Sequence, residues 1–186
     1  MTENENYNKN EPMRFMVDNA GLCLFSPWYL RLFSMLDYLN EDRRDFKDDE
    51  SRIRAIFLLQ YLTCLEEKEY EKTDLMFNRV LVSLPIQIPL PKSLALSNEE
   101  KQTADSMLEG VKSNWSKMNG TSMKGFQQSF IFRTGHLEQQ DEKWLLTVES
   151  RTVDILLDTV PWSFKQIRFP WLKKYVQVIW HENHEF

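Results

Sequence analysis

The chain has 186 residues, of which 42% are hydrophobic and 27% charged, a composition typical of a folded soluble protein and unlike that of a disordered one. Its formal charge of -5 argues against nucleic acid or an anionic membrane as partner, because both attract surplus Lys and Arg. No stretch approaches the roughly 18 apolar residues that cross a bilayer, so we expect no membrane insertion. The polar, acidic start differs from a secretory signal, which predicts a cytoplasmic protein with Cys23 and Cys64 as reduced thiols.

Aromatic residues are unusually frequent, at 13% of the chain, and six of them are Trp. Tryptophan buries a large area and is favoured both in cores and at protein interfaces. The composition therefore indicates a protein that works through contact with other proteins.

The N-terminal quarter of the chain predicts a tail, a turn and a first helix. Residues 1–12 are rich in Asn and Glu and are predicted to be a mobile tail. Residues 18–21 indicate a turn before the apolar run at residues 22–25. Ser26 followed by Pro27 predicts the start of the first helix, with Ser26 as its cap.

Two further helices are predicted after the charge-dense loop at residues 41–50. Ser51 can cap a second helix that runs to about Leu65. Because that helix is apolar nearly all round, it is predicted to be the central helix of the core. A third helix begins near Thr73 and ends by Leu84.

A proline-rich strap separates these helices from the next ones. Pro85, Pro89 and Pro91 exclude regular helix and favour an extended segment lying along the body of the protein. Ser97 and Glu100 form a capping-box pattern that begins a fourth helix. One face of this helix is apolar and comprises Ala104, Met107, Leu108, Val111 and Trp115. A short fifth helix follows around residues 123–130.

The pattern changes to β after Gly135. Residues 136–138 and 144–149 predict a hairpin, residues 152–158 a short helix, and residues 165–169 and 175–180 two more strands. The predicted fold class is thus α+β, with about five helices followed by a small C-terminal antiparallel sheet and a short helix.

Three parts are expected from this order of elements. They are the tail at residues 1–12, a mainly helical part at 13–134, and a small β-rich part at 135–182. We expect the last part to pack on the second, so that the two form one domain.

No constellation of residues indicates catalysis. His181 and His184 could share a metal ion, but no third ligand accompanies them, and His136 is expected at the surface. Cys23 and Cys64 are interpreted as small core residues. The chain has only five glycines and lacks the order of a phosphate-binding loop. We therefore predict no catalytic, cofactor-binding or metal-binding residues and no enzyme activity, and a hydrolase built on Cys23 and the histidines is the weaker alternative.

Two tryptophans each follow a proline, which places a large ring beside a restricted backbone. One hypothesis is that Trp162 and Trp171 are presented to a partner, since Trp is enriched among the residues that dominate binding energy. The alternative is that both rings pack in the core. The predicted interface residues are Pro161, Trp162, Phe169, Pro170 and Trp171.

Several segments, in order along the chain, carry a resemblance to a known family. The matching segments are residues 19–25 and 30–33, 54–62, 78–85, 114–115, 119–122 with 125–126, 130–135, 144–149, 154–162, 167–172 and 178–180. Together they resemble the tape-measure protein family of bacterial contractile injection systems, from about Asp18 to Trp180.

The resemblance implies a component of a contractile, phage-tail-like particle, either a type VI secretion apparatus or an extracellular injection system. Its longer members are thought to lie in the inner tube and set its length. Even if wholly helical, this chain would span only about 280 Å, and the predicted fold is much more compact. We therefore expect a non-enzymatic assembly or anchoring component that binds tube, spike or baseplate subunits. The alternative is an adaptor or chaperone that loads an effector.

Overall fold

The computed structural model of the protein describes residues 12–182, so the predicted tail lies outside the described residues except for its last one. The helices are α1 (Ser26–Met35), α2 (Asp49–Cys64), α3 (Met76–Val82), α4 (Asn98–Asn114) and α5 (Met123–Phe126). The strands are β1 (Arg14–Val17), β2 (Gly135–Gln139), β3 (Lys143–Val148), β4 (Gln166–Ile167) and β5 (Tyr175–Ile179). This order of helices and strands confirms the α+β class.

Short 3₁₀ and π segments complete the chain between the regular elements. The 3₁₀ helices are Ala20–Phe25, Lys72–Leu75, Ser116–Met118 and Thr152–Thr159, and a π-helical turn spans Gln127–Ile131. The apolar run at residues 22–25 thus lies in a 3₁₀ helix that leads directly into α1.

The sheet is mixed, with strand order β1-β2-β3-β5-β4. The predicted hairpin is confirmed, since β2 and β3 pair antiparallel. The prediction of an all-antiparallel sheet is wrong, because β5 pairs parallel to β3, with Leu146 opposite Val178. A parallel pair needs a long crossover, and the 3₁₀ helix Thr152–Thr159 together with β4 supplies it.

The edge strand β1 comes from the N-terminal part of the chain, and the sequence pattern does not predict it. It pairs antiparallel with β2, and Met16 lies opposite His136. Only Phe15 and Val17 turn toward the core, while Arg14 and Met16 are exposed. Two core-facing residues are too few to give a recognisable strand pattern, so only its partner strand identifies this segment.

Two of the predicted helix starts differ from those in the structure. Ser26 lies within the helical run that begins at Ala20 and makes no side-chain cap. The cap of α2 is Asp48, whose Oδ1 accepts a hydrogen bond from the Ser51 backbone N–H at 2.7 Å, so Ser51 lies in the first turn. The Ser97–Glu100 capping box is confirmed, since each side chain accepts a hydrogen bond from the other's backbone N–H.

Helix α2 is the centre of the core, as its composition predicts. Its side chains are buried almost continuously from Ala55 to Thr63, and α3 and α4 pack against it. Ile56, Leu58 and Leu62 are fully buried. Because other elements cover this helix on nearly every side, almost none of its surface faces water, and its sequence is accordingly apolar nearly all round.

Gly21 allows two backbones to touch. A Cβ atom built on Gly21 would lie 1.8 Å from the carbonyl oxygen of Phe130 and 2.5 Å from the Cα of Ile131. The 3₁₀ helix Ala20–Phe25 therefore packs directly on the π-helical turn, and the Ala20 N–H donates to the Arg133 carbonyl at 3.0 Å. Because the clash would be with backbone atoms, no side-chain rotation can relieve it.

We expect Gly21→Ala to lower the free energy of unfolding by about 3 kcal/mol, the upper end of ordinary overpacking costs. Urea unfolding of both proteins measures this loss. The matched control is Gly110→Ala in α4, where the added Cβ meets no described atom within 4 Å outside its own stretch of helix. Alanine also favours the helix by about 1 kcal/mol. Equal stability of the two variants would contradict the close packing of these backbones.

Candidate interaction surface

Trp171 lies inside the protein. Its side chain is 6% exposed, and its indole N–H donates to the Leu81 carbonyl at 2.9 Å. The ring contacts Phe46 edge-on at 5.1 Å between centroids and stacks on Phe169 at 4.8 Å. This is the environment of a core residue, which is the alternative that the sequence left open.

Trp162 belongs to a second aromatic cluster and is only half-buried. Its indole N–H donates to the Leu24 carbonyl at 2.8 Å. Its ring packs edge-on against Trp28 of α1, with 4.6 Å between ring centroids, and against Trp115, with 6.4 Å between ring centroids. The two prolyl-tryptophan segments are thus anchored to different parts of the core.

The predicted interface residues therefore differ in how much of each side chain is exposed to a partner. Pro161 and Pro170 are exposed, and Phe169, like Trp162, is half-buried. Their role in binding stays a prediction, and Trp171 could join such a contact only if its core packing changed.

A groove between α1 and α4 adjoins the Trp28–Trp162 contact. We call it the α1–α4 groove; it has a volume of about 290 Å³, and its lining includes Trp28, Leu32, Met35, Met107, Gly110 and Asn114. Met35 is 59% exposed although it lies on the apolar stripe of α1. Gly110 leaves open space beside α4, since, apart from its neighbours and the backbone of the same helix, no atom of residues 12–182 lies within 4 Å of a Cβ built there.

The sequence contained part of the signal for this groove. Trp28, Leu32 and Met35 recur at helical spacing, and this periodicity predicts one face of α1. Periodicity identifies the apolar face of α1 but does not show how much of that face other elements cover. The exposure of Met35 therefore cannot be predicted from the sequence.

The residues considered for catalysis lie apart from one another. Cys23 is fully buried, and burial raises the pKa of its thiol far above the ordinary value. His136 is exposed on β2, and His181 Nε2 lies 3.3 Å from Asp158 Oδ1. His184 lies outside the described residues. In the part of the chain that the structure describes, no three His, Cys, Asp or Glu side chains come together as metal ligands could.

A buried ion pair joins the region after the π-helical turn to the crossover of the sheet. Arg133 donates to both carboxylate oxygens of Asp154, at 2.6 and 2.9 Å, and both side chains are at most 1% exposed. Arg133 also donates to the Glu149 carbonyl at 2.5 Å, and its guanidinium lies 5.1 Å from the centre of the Trp180 ring. Burial raises the pKa of the Asp154 carboxyl, but the hydrogen bonds from Arg133 and from the Arg151 N–H outweigh burial and lower it.

A second buried polar cluster consists of three amides. The Asn19 Nδ2 group donates to Gln60 Oε1 at 2.8 Å and to Asn78 Oδ1 at 2.7 Å. Asn78 in turn donates to the Ile56 carbonyl at 2.9 Å. These bonds tie the segment after β1 to α2 and α3.

Glu100 is the centre of a third polar cluster. Its carboxylate accepts hydrogen bonds from the Tyr38 hydroxyl and from the Arg54 guanidinium. Burial raises the pKa of Glu100, but these bonds outweigh it and lower the pKa. The sequence showed Glu100 as a helix cap only, because its other two partners lie far away along the chain.

Comparison with protein families decides which family this chain belongs to. The model of the contractile injection system tape measure protein family matches residues 1–180. The chain belongs to the contractile injection system tape measure protein family. Comparisons with curated proteins and with solved structures give no significant match.

Membership of the tape measure protein family confirms the resemblance found in the sequence. It supports a component of a contractile injection system that contacts other components of that system. For residues 12–182 the structure shows no helix that is both long enough and apolar enough to span a membrane.

Proposed function

We propose that this chain is a non-enzymatic assembly component of a contractile injection particle. It assembles in the cytoplasm and binds tube, spike or baseplate subunits. The observation that carries the proposal is the family match, because it extends over residues 1–180 of the 186. The aromatic-rich composition adds support, since such residues supply much of the binding energy at protein interfaces.

The fold of the described residues suits docking better than measuring a length. The longest helix, α4, has 17 residues and is therefore about 26 Å long. The helices and the sheet pack around one core, with α2 at its centre. A packed body of this kind can hold a subunit in place, whereas spanning a tube requires an extended rod.

The α1–α4 groove is the surface that we assign to this binding. Trp28 gives it an aromatic wall that continues to the half-buried Trp162. Met35 and Met107 add flexible apolar side chains, which adapt well to a partner's surface. The occupant is an apolar helix face or side chain of a particle subunit. Thr103, Ser106 and Asn114 give this groove a polar rim around its apolar centre, as protein interfaces have.

Co-purification tests the proposal directly. Tagged chain, isolated from cells that assemble the particle, is expected to bring down a tube, spike or baseplate subunit, and deletion of its gene should stop normal particles from forming. Normal particles without the chain, and no subunit co-purified, would overturn the proposal. If empty particles form but an effector is lost or left unloaded, the adaptor alternative is correct instead.

We expect Gly110→Leu to abolish that co-purification while keeping the fold. The new side chain fills open space at the groove, and leucine is a better helix former than glycine by close to 1 kcal/mol, so the melting temperature should not fall. Gln102→Leu is the matched control, because Gln102 is exposed on the same helix outside the groove. Unchanged binding by Gly110→Leu would show that the partner docks elsewhere.

A further inference from the structure

A second groove lies on another part of the surface, between the end of α3, the proline-rich strap and the start of β3. We call it the basic groove. It has a volume of about 340 Å³, and its lining includes Met13, Arg79, Ile86, Trp144, Lys173 and Lys174. It shares no residue with the α1–α4 groove.

The apolar part of the basic groove is open to solvent. Ile86 is 49% exposed and Met13 is 39% exposed, and Trp144 of β3, which also lines the groove, is half-buried. Val80 and Leu84 lie beneath and are nearly buried. Large apolar side chains exposed together in a concave surface mark a site that another molecule covers.

Among residues 12–182, the charged side chains that line this groove are all positive. They are Arg79, Lys173 and Lys174, and no Asp or Glu of that range lines it, although the whole chain carries a formal charge of -5. None of the three forms an ion pair with another described residue. The groove is thus a local positive site on an acidic protein.

Arg79 is the most unusual of these cations. Its side chain is 4% exposed and donates to the carbonyls of Pro85 at 2.8 Å and Ile88 at 2.7 Å. These bonds fix the strap but leave the positive charge without a carboxylate. Burial lowers the pKa of Arg79, as expected for a cation that has lost water and gained no counter-charge.

We propose that the basic groove binds an acidic peptide segment of a partner protein, with a large apolar side chain seated beside Ile86 and Trp144. Carboxylates flanking that side chain would pair with Lys173 and Lys174 at the rim, which are the charges that steer such a segment into place. A guanidinium has five N–H donors, so Arg79 can donate to a carboxylate of the peptide while it keeps its bonds to the strap. This inference goes beyond the proposed function and can fail independently of it, because it concerns the isolated chain and a defined peptide.

Binding to synthetic peptides tests the proposal. The probe is a short fluorescein-labelled peptide of alternating Glu and Leu, titrated with the purified full chain and followed by fluorescence anisotropy. One comparison peptide has Ser in place of Leu, and the other has Lys in place of Glu. We expect saturable binding of the first peptide and affinities at least about tenfold weaker for the other two, because each removes one of the two complementary features.

Charge reversal locates the binding site on the protein. Lys173→Glu with Lys174→Glu should weaken the affinity by about tenfold or more. The matched control is Lys117→Glu with Lys124→Glu, which changes the net charge equally at exposed positions outside the groove. Ile86→Ser should also weaken binding, and since about half of Ile86 is exposed it should lower the melting temperature only slightly.

Three results would overturn the inference. The first is no saturable binding of the acidic, apolar peptide up to about 1 mM, the weak end of measurable affinities. The second is an equal effect of the two charge reversals, which would indicate attraction without a site. The third is binding to vesicles of anionic phospholipid without binding to the peptide, which would identify a membrane surface as the occupant.

Discussion

Asp154→Ala is expected to lower the free energy of unfolding by about 3–5 kcal/mol, the usual cost of leaving one partner of a buried ion pair alone. Arg133 would keep its charge at a position with no exposed surface. Its remaining acceptors are backbone carbonyls, including that of Glu149, and these do not neutralise it. The Arg151 N–H would also lose its acceptor.

Urea unfolding measures this loss, and an exposed ion pair supplies the control. Arg14 Nε and Glu138 Oε2 lie 2.8 Å apart on the neighbouring strands β1 and β2, and the Arg14 side chain is 70% exposed. Arg14→Ala should therefore cost no more than about 1 kcal/mol. If Asp154→Ala were as mild as Arg14→Ala, the Arg133–Asp154 pair would contribute little to the fold.

The pH dependence of the free energy of unfolding provides a second test of the Asp154→Ala variant. The pKa of Asp154 is lower in the folded chain than its ordinary value of about 3.9. A carboxyl shifted in this direction stabilises the fold fully above the unfolded pKa, and the contribution is lost as the pH falls through the folded pKa. The stability difference between the natural protein and Asp154→Ala should thus stay constant near neutral pH and shrink below about pH 4.

The Arg133–Asp154 pair also shows where prediction from the sequence stops. The capping box, the apolar α2 helix and the β2–β3 hairpin depend on residues close together in the chain, and the sequence predicted all three. Arg133 and Asp154 meet only because the crossover from β3 to β5 returns over the π-helical turn. Nothing in the spacing of either residue indicates such a partner.

The sheet illustrates the same limit. Alternating side chains identify β5 as a strand but do not specify which strand it pairs with or in which direction. Its parallel pairing with β3 and the addition of β1 at the edge follow from how the whole chain packs. For the candidate surfaces, the sequence indicated aromatic residues suited to binding, whereas the exposure of Met35 and Ile86 depends on where neighbouring elements end.

Trp171→Ala is the other substitution for which we expect a loss of about 3–5 kcal/mol in the free energy of unfolding, the range found when large aromatic rings are removed from cores. The ring touches Phe46 and Phe169, and the Leu81 carbonyl would lose the donor that satisfies it. Trp171→Phe separates these two contributions, because it keeps an aromatic ring but removes the indole N–H.

Trp162→Ala provides the contrast, because this ring is only half-buried. Its removal leaves the Leu24 carbonyl without a donor and should cost about 1–3 kcal/mol, so the protein should still fold. Thermal melts and co-purification with particle subunits are then measured on both variants. A folded Trp162→Ala protein that no longer co-purifies assigns that ring to the interface, next to Trp28. A Trp171→Ala protein with unchanged stability and lost binding would instead place Trp171 in the contact, and its burial in the isolated chain would have to be reversed on binding.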